Sequence, residues 1–421
     1  MKDIKKIDLG HDVGLMLVKT DKFKSNIISV YIHRMLDKSE ASMNAVIPAV
    51  LTSGCEKYPS MRALSDKLDD LYGASLVSEC SKRGERQLIS LRLLVTNDRY
   101  IDDNIFIDTI EFLNEVVNHP LVVDGGFKKE YVEVEKNNLK NKIVSIINDK
   151  RSYAHKRCLE EMCKGERYGI GANGTVEDVE LINAENLYGH YKKVMEGSRI
   201  DIVVEGNFDF DETEKAIKEH FKFENRGEIQ KIEREEFMKT PESVKNIEES
   251  MDITQGKLVM GYRTNTDYKD AKKYYSLITG CGVLGGGPHS KLFANVREKE
   301  SLCYYIFANV EKYKGIMMIS SGIEFENREK TERLINENLQ SVLKGDIDEK
   351  ELYHTKKALI NGLRSSCDGI GGISEFEFSQ QLGGTNYTVE EIIDFVEQTT
   401  VEDIVEAMKD IVPDTVYFLR D

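Results

Sequence analysis

Apolar positions along the chain alternate between two spacings. Strand-like runs occupy Val13 to Val18 and Ile27 to His33, then Ala74 to Cys80 and Arg86 to Thr96, with Lys82-Arg83-Gly84 as the turn between the last two. Met43 to Leu51 is apolar enough for a buried helix, and Gly54 ends it. Ser60, after Pro59, is placed to cap a helix from Met61 to Tyr72, whose Leu64, Leu68 and Leu71 form one i, i+4, i+7 stripe. Long helices are expected over about Ile101 to His119 and Phe127 to Lys164, and Ile200 to Val204 reads as a short β-branched strand.

Residues Phe223 to Ser250 break this pattern. The stretch is highly charged and carries Pro241, so it reads as a linker, with room for one strand inside it. A solvated helix within one domain is the alternative. After it the order of elements repeats. Lys257 to Arg263 is a strand, Asp270 to Thr279 and Ser290 to Glu298 are helices, and Leu302 to Glu311 with Gly315 to Ile323 form a hairpin. A long helix follows in both halves and ends near an aspartate, Asp149 or Asp368. Thr175 and Thr388 then open short helices, and each half closes with a helix (Ala184 to Val194, Val401 to Ile411) and a β-branched strand. The expected architecture is α+β: two similar units, 1–222 and 251–421, joined by a charged linker at 223–250. Each mixes antiparallel hairpins with helices covering one sheet face.

A length of 421 residues is too great for one ordinary core. With 40% apolar and 31% charged residues the composition is that of a soluble globular protein. The net charge of -16 and the absence of a basic block argue against nucleic-acid or anionic-membrane binding. An acidic surface serves solubility, or lines a chamber for basic peptides. No apolar run approaches the roughly 20 residues of a spanning helix, and the N-terminal stretch has no signal-like apolar core. The seven cysteines are scattered, with no C-x-x-C pair, and read as reduced, small core residues of a cytoplasmic protein.

The search for chemistry is mostly negative. H-E-x-x-H, H-x-x-E-H and G-x-S-x-G are all absent. No two histidines lie three or four residues apart, so no helix face offers two imidazoles to one metal. Gly285-Gly286-Gly287-Pro288-His289-Ser290-Lys291 lacks the G-K-[S/T] ending of a phosphate loop and reads as a flexible turn before a helix.

Three stretches, in order, resemble the pitrilysin/insulinase-type (M16) metallopeptidases. In Ala45 to Gly73, active members carry H-x-x-E-H shortly before a Gly-Thr pair. Set against Gly54-Cys55, the motif falls on Ala45, Pro48 and Ala49, none of which has a ligating atom. The family's third zinc ligand, a glutamate opening a later long helix, is matched by Glu135, which otherwise is an ordinary helix-surface residue. Ser290 to Tyr304 resembles the second-half signature S-R-L-f-x-x-L-R-E-x-x-G-L-x-Y, with Ser301 replacing the glycine. The resemblance implies that Arg297 holds substrate peptide and that the Tyr304 hydroxyl stabilises the oxyanion. Otherwise Arg297 caps a helix end and Tyr304 packs in a strand. Gly280 to Gly287 resembles the glycine-rich turn of non-catalytic members, implying substrate contact at Gly285, Gly286 and Gly287.

The resemblance covers nearly the whole chain and implies two homologous M16-type (LuxS/metallohydrolase-like) domains. In short-chain members, two chains of this size clasp together, one bringing zinc and the other the Arg/Tyr pair. This chain matches the complement: no cofactor of its own, zinc in the partner, a peptide substrate, and a homodimer when the partner is missing. LYGASL followed by SKRGERQLISLRL further resembles a bacterial subgroup associated with 5-aminopentanol modification of elongation factor P. Two alternatives stay open: a structural subunit that holds peptides without catalytic contribution, and an enzyme of another kind using Glu135 or a cysteine.

Overall fold

The structure is a computed structural model that describes residues 3–223 and 225–421; Met1, Lys2 and Glu224, which fall in the 1–222 domain and the 223–250 linker, lie outside the described residues. The first unit holds strands β1 (Asp3–Asp8), β2 (Val13–Lys19), β3 (Ser25–Met35), β4 (Ser75–Arg83) and β5 (Arg86–Thr96), a short hairpin β6 (Val122–Val123) and β7 (Gly126–Phe127), and β8 (Ile200–Gly206). Its main sheet runs β1-β2-β8-β3-β5-β4, antiparallel except for the β2/β8 pair. Alternate residues Ile28, Val30 and Ile32 of β3 and Ile200, Ile202 and Val204 of β8 enter one core with Val46, Ile47 and Val50 of the helix Ala41–Leu51. The charged β1, DIKKID, has no apolar alternation and gains strand form by pairing at the sheet edge.

The second unit holds β9 (Lys245–Ser250), β10 (Gly256–Arg263), β11 (Cys303–Glu311), β12 (Ile316–Ile323) and β13 (Val412–Arg420), ordered β11-β12-β10-β13-β9. Only β13/β9 is parallel. Read from the hairpin edge, β4-β5-β3-β8-β2 and β11-β12-β10-β13-β9 are the same arrangement, parallel pair included. The repeated order of elements is therefore a repeated fold. The charged stretch after Phe223 supplies β9, and Phe237 within it is buried.

The compact units do not follow chain order. Residues 145–169 group with the second unit and 367–376 with the first. The segment expected as one helix over Phe127 to Lys164 is two, Lys129–Ser145 and Lys150–Met162, separated by a 3-10 turn. Asp149 makes the break by capping the second helix, accepting from the Arg151 and Ser152 amides. Ala154, Cys158 and Met162 of that helix cover the second sheet's other face at Val259, Met318, Tyr417 and Leu419. In the first unit, the fully buried Glu205 of β8 accepts from the amides of Gly371 (3.1 Å) and Ser374 (2.7 Å). A carboxylate on two orphan amides at the start of the helix Gly372–Gly383 fixes the 367–376 segment in place.

Candidate functional site

In the first unit, the helix Ala41–Leu51 is held by a buried amide chain. His190 Nε2 lies 2.7 Å from Asn44 Oδ1, Asn44 Nδ2 donates to Gln87 Oε1 (2.8 Å), and Gln87 Nε2 donates to the Ala41 carbonyl (2.9 Å). Burial pushes the His190 imidazole down to about 4, so it is neutral near pH 7. On this helix Ala45 and Ala49 are half-buried and Pro48 is buried inside the helix. Glu135 comes from the helix Lys129–Ser145 to the end of the Ala41–Leu51 helix. Ser53 Oγ lies 3.3 Å from Glu135 Oε1 and 3.0 Å from the Ala49 carbonyl, and Asn138 donates to the other Glu135 oxygen (3.0 Å). Glu135 is thus half-buried and bonded on both oxygens rather than a free surface side chain.

These residues do not fit a zinc ion. Two methyl groups, a proline ring and one carboxylate cannot supply three ligands. Among the described residues, no three His, Cys, Asp or Glu side chains gather as a metal-holding group.

In the second unit, Arg297 and Tyr304 both stand on irregular backbone. Arg297 lies in a π-helical stretch, Phe293–Lys299, with its guanidinium carbon 4.6 Å from the Phe293 ring centroid and its nearest carboxylate, Glu298, at 3.8 Å. Tyr304 sits at a bulge: Cys303 pairs with Ile323 and Tyr305 with Gly322, leaving Tyr304 as the extra residue on the edge strand β11. The residue is 65% exposed, and its hydroxyl donates to Glu324 Oε1 at 3.2 Å. That hydrogen bond pushes the phenol above its ordinary titration range. Between the two, Ser301 has φ +53°, which is the left-handed region and explains why the signature carries glycine there. The Leu302 amide closes the turn on the Val296 carbonyl (3.1 Å). A π-helix and a bulge both turn side chains out of register with their neighbours, and here they turn out a cation and a phenol donor. Phe293 and Glu324, which hold these two groups, carry no sequence signal of that role.

The glycine-rich segment differs from the expected turn. The helix expected to stop at Thr279 continues through Ala271–Gly285. A Cβ on Gly285 would lie 2.6 Å from the Ala308 amide nitrogen, and one on Gly280 would lie 2.3 Å from Met408 Sδ. These glycines let the helix lie close to β11 and to the helix Val401–Met408. Gly286 is exposed at the helix end, and Gly287 follows it. By strand order this helix is the second-unit counterpart of Ala41–Leu51.

All seven cysteines are free thiols, and all but the half-buried Cys367 are buried. Burial pushes Cys55 up to about 11 and Cys80 and Cys281 to about 12, which leaves them poor nucleophiles near neutral pH. His33 and Asp201 also meet, at 2.9 Å, but at 1% and 2% exposure the pair is sealed from any substrate.

A family profile described as "Peptidase M16 inactive domain" matches residues 181–359. The chain is 35% identical over 408 residues to the "Probable inactive metalloprotease YmfF" of Bacillus subtilis (strain 168), covering 96% of this chain and 95% of that one. The chain belongs to the M16 peptidase family. A second relative, the "Uncharacterized zinc protease YmxG" of the same organism, is 25% identical over 233 residues, 54% of this chain and 55% of its own. The crystal structure of a conserved protein from Enterococcus faecalis V583 superposes with a TM-score of 0.92 at 29% identity, over 99% of this chain and 98% of that one. The two-unit α+β architecture is thus the M16 fold over the full length, and the chain is an inactive-type M16 homologue. No helix among the described residues is long and apolar enough to cross a membrane.

Proposed function

We propose that this M16 chain is the non-zinc-binding subunit of a two-chain peptidase. In this reading it pairs with a zinc-bearing homologue and brings Arg297 to the substrate peptide and Tyr304 to the oxyanion. The observation that carries the reading is an asymmetry: donor atoms are missing at Ala45, Pro48 and Ala49, while Arg297 and Tyr304 are both present and turned out by a π-helix and a bulge. A chain kept only as a scaffold has no need of an exposed phenol on a bulge. The partner's zinc supplies the polarised water, and this chain supplies a cation and a donor to developing charge. Gly286 and Gly287, at the exposed helix end, line the same reading's peptide path, and without its partner the chain forms a homodimer. The complex works in the cytoplasm, and its link to elongation factor P modification rests on the LYGASL resemblance.

Peptide cleavage and zinc content, measured on this chain alone and mixed with a zinc-bearing M16 chain from the same genome, test the reading. The lone chain is expected to be zinc-free and inert and the mixture to cleave. Arg297→Ala with Tyr304→Phe should then lower kcat/KM about a hundredfold or more. Equal cleavage by the double variant would leave the scaffold role instead.

A further inference from the structure

We propose that Glu324 is a latch on Tyr304, holding the phenol's one donor so that the tyrosine serves a scissile carbonyl only after leaving it. The inference rests on the composite-site reading above. The bulge places both groups at one end of the hairpin: Cys303 pairs with Ile323, and Glu324 follows Ile323 directly, opening the 3-10 turn Phe325–Asn327. The Tyr304 hydroxyl has a single proton, and it is given to Glu324 Oε1. A phenol in that state cannot also donate to an oxyanion. Among the described residues no lysine or arginine pairs with Glu324, so its charge is not neutralised locally. An oxyanion forming beside Tyr304 meets both a spent donor and a nearby negative charge. The raised titration of the phenol has the same origin, since an acceptor carboxylate favours the protonated ring hydroxyl. Both side chains are at least partly exposed, so the contact is weak enough to be exchanged when a better acceptor arrives.

The test uses the mixed complex with a zinc-bearing M16 partner. Glu324→Ala should raise kcat about two- to tenfold, the range of one exposed hydrogen bond to a charged acceptor, and Glu324→Gln should raise it less. In a Tyr304→Phe background Glu324→Ala should change nothing. In the free chain, the ring-labelled Tyr304 resonance, assigned by its loss in Tyr304→Phe, should titrate at lower pH in Glu324→Ala. An unchanged or lower kcat, or a rise that persists without the phenol, overturns the latch. Failure of the underlying reading looks different. Tyr304→Phe alone then leaves cleavage intact, and a Tyr304 resonance that still responds to Glu324→Ala marks a contact with no catalytic purpose, which also overturns it.

Discussion

Ser53 and Glu135, 82 residues apart in sequence, meet at 3.3 Å at the end of the helix that carries Ala45, Pro48 and Ala49. In the proposed alignment Glu135 stands for the third zinc ligand, and Ala45 and Ala49 stand for the two histidines. Restoring Ala45→His, Pro48→Glu and Ala49→His together should give a chain that retains about one zinc after dialysis, by metal analysis. Adding Glu135→Gln should abolish that retention. A restored helix that binds no zinc would mean that Glu135 does not occupy the third-ligand position.

Ser301 holds φ +53° in the turn between Arg297 and Tyr304. Ser301→Gly relieves the left-handed strain and should leave stability equal or raise it by up to about 1 kcal/mol. Ser301→Val, β-branched at the same φ, should lower it by about 1–3 kcal/mol. Denaturant midpoints of the two variants give the comparison, and a Val variant as stable as Gly would remove the account of the turn.

Gly285 and Gly362 both lie inside helices, but only the first is packed against backbone. Gly285→Ala should cost about 1–3 kcal/mol because the Ala308 amide cannot move aside. Gly362→Ala, with nothing within 4 Å, should stabilise by up to about 1 kcal/mol. Opposite signs in thermal unfolding would establish that the first glycine is kept for close approach.

His190 is neutral in the fold, with its pKa pushed by burial down to about 4. Between that value and about 6.5 the unfolded chain binds a proton that the folded chain refuses. Stability should therefore fall as pH drops through this window, by about 1.4 kcal/mol per unit for this group, and be unaffected by it above. In His190→Gln, the loss of stability between pH 7 and pH 5 should shrink by about 2 kcal/mol. An unchanged slope would mean that His190 accepts its proton in the folded state.

Much of the architecture was legible because it is written in local spacing. The stripe Leu64, Leu68 and Leu71, the hairpin across Lys312 to Lys314 and the repeated order of elements all reappear in the folded chain. Local spacing also misled. A glycine run normally signals a turn, yet Gly280, Gly282 and Gly285 lie within a helix, at positions where neighbouring elements leave no room for a Cβ. Asp149 splits an otherwise continuous helical pattern, since an N-cap gains two amide bonds there. For the proposed site, a motif singles out Arg297 and Tyr304. Glu324, Ser53 and Phe293 are not singled out, because their roles depend on a bulge register, an 82-residue contact and a π-helical turn that no spacing encodes.

The helix Lys150–Met162 and the segment held by Glu205 each complete a unit whose other strands come from the opposite half of the polypeptide. Cutting the chain within the charged stretch would sever the polymer without separating two foldable bodies. The second fragment alone would bare the sheet face that the Lys150–Met162 helix covers, and the first alone would leave the buried Glu205 carboxylate without the Gly371 and Ser374 amides. The two fragments produced together should instead recombine into one particle, so gene halves cloned apart behave as obligate companions, and the protein passes or fails its folding as a whole.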